Sequence, residues 1–186
     1  MWNKITSMIQ GGVRDLFPAY FALVMATGIV SIACHLLQMG YFAFPLFYLN
    51  IFFYGVLWVL MLARLVLHFP RVLADLSNHN TGAGFFTIVA GTNVLGSQFV
   101  ILNADGQTAS FLWILGLVLW LILIYAFFAV MTLKNEKPPL ERGINGAWLI
   151  AVVSTQSLAV LGALIASRFG AWKDAFFFAV LCFYLL

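Results

Sequence analysis

The chain has 186 residues, of which 64% are hydrophobic and 8% charged, with a formal net charge of +3. A soluble domain carries about 25% charged residues, so this composition excludes an ordinary soluble protein and points to a lipid bilayer. The small basic surplus is confined to the ends and loops, which makes it a signal of orientation and argues against nucleic acid as a partner.

Residues 1–17 place Trp2, Ile5, Met8, Ile9, Val13 and Leu16 at helical spacing. That pattern predicts a short amphipathic helix on the cytoplasmic membrane surface. No short apolar core with a small-residue cleavage site marks a removable signal peptide. From Pro18 onward apolar runs of about 20 residues recur, enough to cross about 30 Å of hydrocarbon at 1.5 Å per residue. The spans read as residues 18–38, 44–67, 83–102, 109–133 and 146–166, with a sixth segment at 175–186, all within one transmembrane domain over 18–186. The sixth segment, roughly 18 Å as a helix, is short of a crossing. It stops at Phe183-Tyr184-Leu185-Leu186 without a polar cap, so the domain is expected to be incomplete here.

On one side of the membrane lie Lys4, Arg14, Arg64, Arg71, Lys134, Lys137 and Arg142; on the other lie Arg168 and Lys173. The positive-inside rule then puts the N-terminus in the cytoplasm, and the expected location is a bacterial inner (plasma) membrane. Short outside loops make each odd–even pair of spans a hairpin. The second inside loop, from Arg71 to Gly84, is the most polar region, and Gly82 and Gly84 permit unusual backbone angles there.

The odd spans repeat one signature: Ala26-Thr27-Gly28-Ile29-Val30-Ser31, Gly91-Thr92-Asn93-Val94-Leu95-Gly96 and Ser154-Thr155-Gln156-Ser157-Leu158-Ala159. Their threonines are 65 and 63 residues apart, and such a period means a repeated structural unit. Odd spans are rich in small and polar residues. Even spans are leucine-rich and aromatic, with Tyr54, Trp58, Trp113, Trp120 and Tyr125 among them. Helices apolar all round suit lipid, and helices with a polar stripe suit an inner position. The expected fold is therefore all-α and polytopic, with odd helices inside even ones around a central pore.

On that reading Thr27, Gly28, Ser31, Thr92, Asn93, Gly96, Thr155, Gln156 and Ala159 line the substrate path. Hydroxyls and amides there replace part of an ion's hydration shell, and the small residues leave room. The competing reading is close helix packing with interhelical hydrogen bonds, which explains less readily why the pattern recurs on odd spans alone. No Asp, Glu, Lys or Arg falls at the middle of a span, where proton-coupled carriers usually keep a relay. The basic inner rim favours an anion as the solute. His35 reads as an interface anchor near the outer end. His68 and His79 lack partners at metal-ligand spacing, and Cys34 and Cys182 read as small packing residues. No cofactor, metal site or enzymatic machinery is expected.

The segment Phe17-Pro18-Ala19-Tyr20-Phe21-Ala22-Leu23-Val24-Met25-Ala26-Thr27-Gly28-Ile29-Val30-Ser31 resembles the first span of the tellurite-resistance/dicarboxylate transporter family. Plant slow anion channels and fungal malate and sulfite transporters belong to the same family. Gly91-Thr92-Asn93-Val94-Leu95-Gly96-Ser97-Gln98 resembles its third span, and Asn145-Gly146-Ala147-Trp148-Leu149 with Ser154-Thr155-Gln156-Ser157 its fifth. The resemblance runs from about Phe17 to Leu186. It implies ten helices with quasi-fivefold symmetry, odd helices around an anion pore, and a homotrimer. The period extrapolates to about 320 residues for five units, and the family's gating aromatic falls on a later odd helix. The implied function is passive transport of small anions such as malate, sulfite, tellurite or inorganic anions. Proton-coupled dicarboxylate or sulfite carriage and a non-transporting scaffold are the alternatives.

Overall fold

The computed structural model describes residues 11–133 and 146–185. The positions Trp2 to Ile9 and the fourth loop fall outside them. Among the described residues there are helices and no strands. The first hairpin pairs α1 (Ala22–Leu36) with α2 (Gly40–Leu67), and a surface helix α3 (Phe69–Leu76) follows. The second pairs α4 (Phe86–Asn103) with α5 (Gly106–Leu133), and the third pairs α6 (Leu149–Ile165) with α7 (Lys173–Leu185). This is the all-α polytopic architecture expected from composition, and the stretches over Pro18–Leu36, Gly40–Leu67, Gly82–Asn103, Gly106–Leu133 and Gly146–Leu185 are long and apolar enough to span a bilayer.

Each odd helix is entered through one tight turn of 3₁₀ helix: Pro18–Phe21, Gly82–Phe85 and Gly146–Trp148. Proline at the start of the first turn has no amide hydrogen to leave unsatisfied. In the second turn the glycines serve close approach. A Cβ on Gly82 would lie 2.5 Å from the Leu76 carbonyl oxygen and 2.8 Å from the Phe127 ring, and one on Gly84 would lie 3.1 Å from Ala19 Cβ. Neither has a positive φ, so the conformational freedom of these glycines is not used here. Among described glycines that geometry belongs to Gly170, with φ 50°, in the 3₁₀ stretch Ala166–Trp172 ahead of α7.

Helix boundaries shift modestly from the sequence reading. The second span starts at Gly40, and α2 carries Pro45 as its sixth residue. The loop between α4 and α5 shrinks to Ala104 and Asp105, with Ala104 left-handed at φ 53°. Asp105 accepts hydrogen bonds at 3.1 Å from the amides of Gln107 and Thr108 and so caps α5. The polar loop after the second span contains α3, whose apolar side buries Val72.

The odd helices pack side by side in the order α1–α4–α6, and α2 and α5 lie in the outer grooves, α2 against α1 and α4, α5 against α4 and α6. The third span is 78% buried, against 22% for the second and 17% for the fourth. The inner-and-outer distinction holds there. It does not hold for the first span, which at 22% is no more buried than the second. The reason is that α1 has an odd neighbour, α4, along one flank, leaving Leu23, Ile29 and Val30 exposed on others. Aromatic rings seal the entries: Phe21 lies edge-on to Trp58 at 5.9 Å, and Phe127 meets Phe86 at 5.5 Å and Trp148 at 5.0 Å.

Candidate anion-conduction site

The repeated signature resolves into three faces. The threonine itself points at the outer helix of the preceding hairpin. Thr92 is fully buried, donates its hydroxyl to the Ile88 carbonyl at 2.7 Å and lies 3.0 Å from the Tyr54 hydroxyl of α2. With the Thr92 proton committed to Ile88, Tyr54 is the donor. One unit later Thr155 donates to the Ala151 carbonyl at 3.0 Å and accepts from Trp120 Nε1 of α5 at 2.9 Å. Tyr54 and Trp120 are 66 residues apart, so the pairing repeats with the fold. Thr27, the first member, is half-buried.

The residue after the threonine points at the outer helix of its own hairpin. A Cβ on Gly28 would lie 2.5 Å from Val94 Cγ1, 3.0 Å from Asn50 Nδ2 and 3.2 Å from Gln98 Oε1. Asn50 donates to Gln98 at 2.6 Å directly over that glycine. In the second hairpin the sizes are exchanged. Asn93 occupies the space that Gly116 leaves on α5, where a Cβ would come within 2.7 Å of Asn93 Oδ1. Asn93 also donates to the Val89 carbonyl at 3.0 Å and to Ser157 Oγ at 3.1 Å, tying α4 to α6. In the third hairpin Gln156 donates to the Tyr184 carbonyl of α7 at 3.0 Å.

The small residues at the end of the signature are likewise packed. Ser31 is buried and donates to the Ala43 carbonyl at 2.8 Å. A Cβ on Gly96 would meet Leu161 Cδ2 at 2.5 Å, and Ala159 is 3% exposed. Seven of the nine signature residues are therefore buried, and Thr27 and Gln156 are half-buried.

One face remains. From Gly82 to Gln98 every residue is buried except Val94, two positions after Thr92. The corresponding positions are Ile29, which is exposed, and Ser157, which is half-buried. Periodicity shows that a polar stripe recurs but not which side of it is covered: each residue turns about 100° around the helix, and what covers each side is set by residues on other helices. The partners that decide the matter, Tyr54, Trp120, Asn50 and Gly116, lie on even helices, where they read as ordinary lipid-facing residues.

A second polar cluster went unrecognised in sequence. Arg64 lies in the last turn of α2 and is 3% exposed, where it pairs with Asp75 of α3 and donates through Nε to the Arg14 carbonyl at 3.2 Å. Arg71 pairs with Asp15 at 2.9 Å. The Arg14 guanidinium beside Asp15 holds that carboxyl below the usual range. These contacts fix residues 11–16 against the bundle end and bury Val13 and Leu16.

A membrane bundle of repeated hairpins, whose most enclosed helix α4 is polar and free of ionisable side chains, fits a channel or transporter class of protein. The sequence matches the voltage-dependent anion channel family over residues 15–186, and the chain belongs to that family. A protein of Methanocaldococcus jannaschii described as an uncharacterized transporter is 28% identical over 169 residues, which cover 87% of this chain and 48% of that relative. The chain thus spans about half the length of the relative it matches. No solved structure matches it.

Proposed function

We propose that the protein forms part of a passive conduit for small anions, acting as a channel or uniporter in a homotrimer whose N-terminus is cytoplasmic. One observation carries this reading. The most enclosed helix, α4, holds Thr87, Thr92, Asn93, Ser97 and Gln98 and no ionisable residue. Neutral dipoles stabilise a passing charge without offering the protonatable relay that coupled carriers use. Family membership supports anions as the solute, and dicarboxylates, sulfite, tellurite and inorganic anions all remain within the proposal.

In this reading the conduit runs past Ile29, Val94 and Ser157, with the threonines and the residues after them holding the wall together. Two experiments test the two parts. Anion-gradient flux in proteoliposomes tests transport: absence of flux for any anion rejects it, and stoichiometric acidification of the lumen replaces the passive mode with a proton-coupled one. Single cysteines at Val94 and Thr92 test the path. A small water-soluble thiol reagent should modify the cysteine at Val94 well before the one at Thr92, and the reverse order rejects the proposed face.

A further inference from the structure

The cluster at the bundle end where the chain enters the first span surrounds a recess of about 370 Å³, lined by Arg14, Asp15, Phe17, Arg64, Arg71 and Asp75 among others. Its charges do not balance: three guanidiniums face two carboxylates. Asp75 is engaged by Arg64 Nη2, and Asp15 by Arg14 and by Arg71 Nη1. Arg64 is the informative member. Its Nε and Nη2 are committed, yet Nη1 is buried with no hydrogen-bond partner. A buried guanidinium nitrogen with unused hydrogens is strongly disfavoured unless something accepts from it. The rim cations, Arg14 and Arg71, keep side-chain exposures of 48% and 54% and can turn toward a guest.

We propose that this recess binds a phosphate-type oxyanion at the membrane interface, with Arg64 as the buried donor and Arg71 and Arg14 closing over it. One uncompensated positive charge matches the single negative charge of a phosphodiester. Guanidinium forks suit phosphate oxygens in geometry as well as charge. The recess also borders Phe17 and Pro18, where the chain passes from polar residues into the first span. That is the depth of lipid headgroups, and basic pockets between helices at that level recognise anionic heads. The shared chemistry is the phosphate, presented either by an anionic phospholipid or by a soluble ion. This site is separate from the proposed conduit and does not depend on it.

The test uses the whole chain in a neutral detergent, with binding measured for inorganic phosphate, short-chain phosphatidylglycerol and short-chain phosphatidylcholine. The variant Arg14→Gln/Arg71→Gln leaves the buried Arg64–Asp75 pair intact, and an unchanged circular dichroism spectrum verifies its fold. Phosphatidylglycerol binding that weakens at least tenfold in the variant, with phosphatidylcholine not binding, supports a headgroup site. Inorganic phosphate binding that weakens at least tenfold, without lipid discrimination, supports a soluble-anion site. Binding of neither anion, or binding equal in wild type and variant, overturns the proposal.

Discussion

Gly28 separates a packing role from a pore-lining role more cleanly than any other position. Replacement by alanine adds one methyl group at a point 2.5 Å from Val94 Cγ1. Carbon contacts ordinarily settle at about 3.5–4.0 Å, so roughly 1 Å of displacement is required. Val94 can yield by rotating, since it is not buried. The other two neighbours are the paired atoms Asn50 Nδ2 and Gln98 Oε1, both on fully buried side chains. Overpacking costs about 1–3 kcal/mol, and disturbing the amide pair adds about 1 kcal/mol. The greater helix propensity of alanine returns about 1 kcal/mol. The expected net destabilisation of Gly28→Ala is about 1–3 kcal/mol. Gly55 on α2 is the control, since a Cβ there meets nothing within 4 Å. Gly55→Ala should be neutral or stabilising by up to about 1 kcal/mol. Unfolding in mixed micelles titrated with sodium dodecyl sulfate measures both variants. Equal stability for the two refutes the packing geometry and returns Gly28 to open space.

Three other outcomes follow from the same contacts. A double-mutant cycle between Tyr54→Phe and Thr92→Val should give a coupling of about 0.6 kcal/mol, the size of interhelical hydrogen bonds in bilayers, and the same unfolding titration reads it; zero coupling rejects the contact. Ala104→Gly should stabilise the α4–α5 turn by about 1 kcal/mol, because alanine pays for its left-handed backbone and glycine does not. The Asp105 carboxyl is held below the usual range by the Thr108 hydroxyl first, and by the Thr108 and Gln107 amides. Its capping contribution is therefore complete above the ordinary carboxylate pKa and lost as pH falls through the depressed folded value. The stability gap between wild type and Asp105→Ala should shrink as the medium is acidified, and a gap that widens contradicts the assignment.

Spans and hairpin pairing were legible because each rests on a one-dimensional quantity, run length or spacing. Hydropathy fixes where a helix crosses, and the 65- and 63-residue intervals fix which helices are equivalent. Rotation about the helix axis is a different matter. It depends on which neighbour fills which gap, and the fillers belong to other helices. Thr92 and Val94 are two residues apart in sequence, yet one is fully buried and bonded to Tyr54 while the other is half-buried beside Gly28 of α1. The α3 helix was obscured because a helix of eight residues leaves too short a pattern to stand out in a polar loop. Arg64, near the end of the 44–67 span, reads in sequence only as an inside charge. In the structure it is buried in the last turn of α2, where Asp75 pairs with it.

The first two hairpins exchange the same two side-chain types between inner and outer helix. In the first hairpin the inner helix supplies glycine, Gly28, and the outer helix the amide, Asn50. In the second the inner helix supplies the amide, Asn93, and the outer helix the glycine, Gly116. Either order places one amide in one notch, so what the fold maintains is the combined volume and a buried hydrogen-bonding group. Within a bilayer there is no hydrophobic drive to press helices together, and close approach with shared hydrogen bonds takes its place. Thr92 and Thr155 meet that need on one face, and Gly28, Asn93 and Gln156 on another. The third face is less fully covered: Ile29 is exposed, Val94 stays half-buried beside Gly28, and Ser157 is half-buried while accepting from Asn93. It changes from isoleucine to valine to serine along the repeat, and under the proposed conduit it is the face whose substitution would alter the solute path with the least effect on helix packing.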